Sequence, residues 1–170
     1  ALGNSLQVQL CLPGQHGDSA FNTWDYRGEF DAAPRTSDFG IKKAATNDEV
    51  HAVIIDKSGL FTGTANSVLE RFAFLSVGSN AKDNAGSNIF IKDVINETSQ
   101  YVWMINGDSS MISTLTDDAD AAHTQSAFGS TIDSGDNFAR NSGTTMVGAG
   151  VAPISFNFDS GVDTSSLTDG

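Results

Sequence analysis

The sequence predicts an α+β fold: mainly an antiparallel β-sheet or sandwich, with few short helices and one long polar loop. Three observations lead there. Short apolar runs with period-two alternation recur along the chain, the pattern of strands with a buried face. Gly, Ser, Thr, Asn and Asp fill the intervals, and these residues favour turns over long helices. The order of segments is strand, strand, hairpin, strand, short helix, strand, long loop, strand. It lacks the regular long helices of a doubly wound fold.

The first strand is "LQVQLCL", where Leu6, Val8, Leu10 and Leu12 alternate with Gln7, Gln9 and Cys11 until Pro13 and Gly14 stop it. "TWDYRGEF" reads as a second strand with Trp24, Tyr26 and Phe30 on one face, and Pro34 to Thr46 as a loop anchored by Phe39 and Ile41. "EVHAVIID" carries Val50, Val53, Ile54 and Ile55 in near-continuous succession, the composition of a central strand buried on both faces. "DKSG" has turn chemistry, so "LFTGT" is expected to return antiparallel and complete a hairpin. "SVLERFAFLSV" fits both helical and strand spacing; its β-branched and aromatic content favours a strand.

"GSNAKDNAGSN" is loop. "SNIFIKDVINE" is expected to form a short helix capped by Ser87 or Asn88, with Ile91, Val94 and Ile95 on its apolar face. "YVWMI" reads as a short buried strand, with Trp103 packed inside. From 106 to 150 the chain is polar, a surface excursion in which only "DDADAAHTQSAF" has weak helical character. "APISFNFDSG" closes as a strand with Ile154, Phe156 and Phe158 on one face.

A length of 170 residues suits a single domain over 1–170 with the 106–150 excursion inside it. The formal charge of -12 argues against nucleic acid or an anionic membrane as partner, since both need a positive surface. Lys42 and Lys43 are the only adjacent cations. Cys11 is the only cysteine, so neither an intrachain disulfide nor a cysteine zinc site can form; it reads as a small semi-buried residue. No apolar run approaches the length of a membrane span. The first residue is Ala1 and the last segment is "SSLTDG"; the expectation is a piece of a longer polypeptide.

Several constellations invite a chemical reading. "GDS" at Gly17–Ser19 and "DAAH" at Asp120–His123 resemble the signatures of GDSL-type lipases and esterases. That resemblance implies Ser19 as nucleophile, His123 as base and Asp120 as its orienting group. The serine of that family follows a buried parallel strand, and its Gly-x-Asn-Asp block is missing, since "TND" at Thr46–Asp48 lacks the glycine. His16, His51 and His123 have no metal-ligand spacing, and Asp117, Asp118 and Asp120 lack the calcium-loop pattern. "VGAGVAP" lacks the third glycine of a dinucleotide site. "NET" at Asn96–Thr98 matches a glycosylation sequon at a helix end. Glu70 and Arg71 are strand neighbours and point to opposite faces, so they cannot act on one substrate atom. A sugar-binding β module is another reading, with Trp24 and Trp103 as stacking residues. No catalytic, cofactor or metal residues are assigned.

Four segments, "ALGNSLQVQLC", "NDEVHAVIIDKSGLFTGTANSVLERFAFLS", "AGSNIFIKDVINETSQYVWM" and "SFNFDSGVDTSSLTDG", are together similar to the contractile tail sheath proteins of T4-like (myovirus) bacteriophages. The resemblance covers most of 1–106 and the last fifteen or so residues; the closing turn departs from it, with Ser160 at the family's first glycine. It implies a non-enzymatic virion subunit without a cofactor, made in the bacterial cytoplasm, from the middle and outer part of the sheath polypeptide. The sheath surrounds the tail tube and contracts to drive it through the host envelope. Its partners would be identical sheath subunits in the full-length protein, with tube and baseplate reached through parts outside this chain. The piece alone is expected to be monomeric.

Overall fold

In a computed structural model of the chain, residues 5–13, 19–104, 128–138 and 154–158 are described. Four strands, β1 (Leu6–Cys11), β2 (Glu49–Asp56), β3 (Ser67–Ser76) and β4 (Ile154–Asn157), form one sheet in the order β3-β2-β1-β4. Every strand pair is antiparallel. Three short helices accompany them: α1 (Ser19–Asn22), α2 (Asp38–Lys42) and α3 (Ile91–Thr98). The α+β expectation is met, with a single sheet covered on both faces.

The alternation in β1 decides which residues meet which layer. Leu6, Val8, Leu10 and Leu12 join Val50, Ala52 and Ile54 of β2 in one core, closed by Ile91 and Ile95 of α3 and by Ile132 and Phe138. The other parity, Cys11, Val53 and Ile55, packs with Ala20, Trp24 and Phe30. So β2 is central and buried from Val50 to Asp56, as its apolar run predicts. Cys11 is completely buried rather than semi-buried, because the 19–30 segment covers that face. On the same face Gln9 accepts a hydrogen bond from the Trp24 indole N–H at 2.7 Å and donates to Gln7 at 2.8 Å, which in turn donates to Asn157 at 2.7 Å.

Several expectations need correction. "TWDYRGEF" is not a strand but turns with a 3-10 helix at Arg27–Glu29. Its aromatics still share a cluster, with Trp24 and Phe30 stacked at 5.2 Å. Within Pro34 to Thr46 the chain forms α2, where the Ser37 hydroxyl accepts from Gly40 N and caps the first turn. Phe39 does pack against the core, but Ile41 is exposed, lying on the solvent side of that single turn. "LFTGT" does not return as a strand; residues 57–66 form a wide connection and β3 begins only at Ser67. "YVWMI" joins no strand over its described residues, and Trp103 is 71% exposed. Its Val102 and Met104 half-bury against the core while Tyr101 and Trp103 face outward. For α3 the apolar face is as expected, but no side chain caps its N-terminus; Asn88 instead accepts from Phe90 N at 2.9 Å.

Of the 106–150 stretch, residues 128–138 are held by the core. Ile132 and Phe138 are buried. Backbone bonds tie Thr46 N to Asp136 O at 2.9 Å, Phe138 N to Thr46 O at 3.0 Å and Gly129 N to Val77 O at 2.8 Å. The weak helix expected over 117–128 lies outside the described residues, save Phe128. No helix among the described residues is long and apolar enough to cross a membrane.

Candidate functional site

Asp48, His51 and Asp56 are fully buried, and each is engaged with neighbouring backbone or hydroxyl groups. Asp48 precedes β2. Its carboxylate accepts from Ser37 N at 2.8 Å, Ser37 Oγ at 2.7 Å and Ser76 Oγ at 2.6 Å. It therefore ties the cap of α2 to the end of β3, and "TND" is a structural junction.

His51, inside β2, has Nε2 2.8 Å from Ala32 O, while Nδ1 accepts the Phe74 N–H at 3.0 Å. These partners fix the neutral tautomer with its proton on Nε2. The ring stacks on Phe30 at 4.3 Å and meets Phe74 edge-on at 4.6 Å. Burial pushes its pKa down from 6.5, with backbone bonds to Ala32 and Val50 acting the other way.

Asp56 ends β2 and organises the loop that follows. Its Oδ1 accepts from Leu60 N at 2.9 Å, and its Oδ2 from Phe61 N at 2.9 Å, Thr62 N at 2.8 Å and Thr62 Oγ1 at 3.0 Å. Burial pushes this carboxyl upward, but the Thr62, Phe61 and Leu60 bonds outweigh it and the pKa lies below 3.8. Gly59, at φ +78, completes the turn; a Cβ there would come within 2.8 Å of Ala65 N. The "DKSG" turn signal was legible in sequence, whereas a carboxylate gathering amides as far as Thr62 was not.

This ordered loop presents apolar side chains to solvent. Leu60 is 57% exposed and Phe61 39%. Phe61 meets Tyr101 edge-on, ring centroids 5.7 Å apart. Tyr101 and Trp103 share the outward side of the segment after α3. Glu70 braces it, accepting from Ser99 Oγ at 2.6 Å and Gln100 N at 2.9 Å. Exposed aromatics on a fixed backbone suit contact with another surface at little ordering cost.

The other sequence candidates fall as follows. Ser19 opens α1, while Asp120 and His123, like His16, Asp117 and Asp118, lie outside the described residues. The described sheet is antiparallel throughout, whereas the esterase arrangement needs a parallel strand before its serine. Glu70 and Arg71 diverge as expected: Glu70 reaches the end of α3, and Arg71 donates to Glu29 O on the opposite face. Trp103, expected to pack inside, is exposed, and Trp24, a stacking residue in the sugar-binding reading, is buried. Asn96 of the sequon bonds both backbone groups of Met104, accepting from N at 2.7 Å and donating to O at 2.9 Å. Among the described residues no group of three His, Cys, Asp or Glu is placed to hold a metal ion. Comparison of the chain with protein-family models, curated proteins and solved structures found no match.

Proposed function

We propose that this chain is a structural segment of a bacteriophage contractile tail sheath. In the full-length protein it would meet identical subunits around the tail tube, and contraction would drive the tube through the host envelope. Its place would be the outer part of the sheath in the virion. One observation carries this over a catalytic reading: Asp56, a buried carboxylate, is committed to fixing a loop whose Leu60 and Phe61 face solvent beside Tyr101. Such a surface is built for contact, and rigid bodies with ordered contact loops are what a switching assembly needs. The order of the four sheath-like segments supports the same reading.

The test is assembly of the longer parent polypeptide, viewed by negative-stain electron microscopy. Rings or tubes of sheath-like subunits are expected, together with a tail-tube gene next to the parent reading frame. A parent chain that stays monomeric at all concentrations, or ester hydrolysis that disappears in Ser19→Ala, would overturn the proposal. The exposure of Trp103 beside Tyr101 favours a second reading, an aromatic platform for sugars. Reproducible glycan-array binding abolished by Trp103→Ala would select it.

A further inference from the structure

Across from His51 the β2–β3 ladder carries an extra residue. Val50 pairs with Leu75 and Ala52 with Phe72, so Ala73 and Phe74 together oppose the single His51. This is a β-bulge. Phe74 sits there at φ +52, a left-handed conformation that is strained for a bulky residue. Its N–H points at His51 Nδ1 rather than at a ladder carbonyl. The bulge is thus held by a side-chain acceptor that can itself be protonated.

We propose that His51 is an acid-released latch on β3. The neutral imidazole holds the Phe74 N–H, and a proton on Nδ1 replaces that acceptor with a second donor and frees the bulge. Two N–H groups then face each other at hydrogen-bond distance against a fully buried ring, an arrangement that leaves both donors without an acceptor. The Nε2 side offers no relief, because that nitrogen is already committed to Ala32 O. Phe74 escapes both the clash and its left-handed backbone by moving outward, a short path for a side chain already 37% exposed.

The surroundings leave the ring to titrate without a charged partner. From β1 the register partner is Cys11. From the 19–33 segment the ring meets Phe21 and Phe30, while Asp25, Arg27, Glu29 and Asp31 are exposed and Tyr26 is half-buried. On β3, Arg71 reaches out to Glu29 O. On β2 itself, Glu49 accepts from Arg35 N at 2.7 Å. Burial accordingly dominates, and the latched state resists protonation until the pH falls below the ordinary histidine range.

The experiment is amide exchange of Phe74 in the 170-residue chain, read by NMR between pH 7.5 and 4.5. Protection relative to the intrinsic rate is expected to fall by up to about tenfold per pH unit below about pH 6.5, since only the open state takes the proton freely. Amides of β1 should keep their protection. His51→Asn offers Oδ1 as an acceptor that does not titrate in this range, and its Phe74 protection should stay flat. Protection of Phe74 independent of pH in the wild type, or loss in step with every core amide, would overturn the latch. Should His51→Asn fail to fold, the ring nitrogens of the wild type decide: a proton on Nδ1 at pH 7.5 refutes the proposal, and a proton on Nε2 agrees with it.

Discussion

Gly78 lies so close to Ile132 that a Cβ on the glycine would overlap both Cγ1 and Cδ1 of that side chain. Ile132 is fully buried, so it has little room to retreat. Gly78→Ala is expected to cost about 1–3 kcal/mol. Chemical denaturation of Gly78→Ala, Ile132→Ala and the double variant should show the two changes to be non-additive, with the double variant recovering part of the glycine penalty. Simple additivity would mean that 128–138 does not rest on Gly78.

Asp48 offers a second measurement. Removing its carboxylate leaves the Ser37 amide and the Ser37 and Ser76 hydroxyls without their acceptor. Asp48→Ala should destabilise by about 3 kcal/mol. Amide exchange should quicken first in α2 and at the end of β3.

The response to pH follows from three shifts. His51 has a lowered pKa in the folded state, so its contribution is complete above about pH 6.5 and declines as the unfolded chain takes up the proton first. Asp56 is also lowered; its contribution is present above the ordinary carboxylate value and is lost as pH falls through the folded pKa. Glu49 acts in the opposite sense. Burial raises it, against the Arg35 N–H bond and with the charges of Asp48 and Asp38, so its contribution is lost as pH rises through the folded value. Thermal melts should therefore show Tm falling from pH 7 towards pH 5, with Glu49 blunting the slope, and a steeper fall below about pH 4. Asp56→Asn should flatten that last limb and leave the first unchanged.

The two tryptophans give a simple optical test of the proposed contact surface. Trp24 is 3% exposed and Trp103 71%, so acrylamide should quench only the Trp103 component. Trp103→Ala should remove that component and shift stability by no more than about 0.5 kcal/mol. In the longer parent chain, assembly should shield Trp103 from quenching. Unchanged quenching in assembled material would place the subunit contacts elsewhere.

Strands with a clear period were legible in the residues. β1 and β2 fall where alternation and a Val/Ile run place them, and β3 emerged despite its ambiguity because Phe and Val suit a pleated surface. Failures cluster where tertiary partners override a local pattern. "YVWMI" has strand composition, yet Ser99 Oγ takes the Tyr101 and Val102 amides at 3.2 Å in a turn. "LFTGT" looks like a returning strand, but Asp56 claims three of its amides. Ile41 and Phe39 are equally apolar, and only helix geometry, unseen without the Ser37 cap, tells which faces inward. Of the contact surface, the aromatics could be read and their outward orientation could not.

The pairing of β1 with β4 joins Gln7 to Asn157. During synthesis one edge of β1 stays uncovered until Asn157, 150 residues after Gln7, has left the ribosome. Contacts this remote in sequence form slowly, so folding of this segment should have a late step in which β1 gains its second neighbour, β4. A nascent chain halted before Ile154 would expose that edge, making it a target for chaperones and for aggregation.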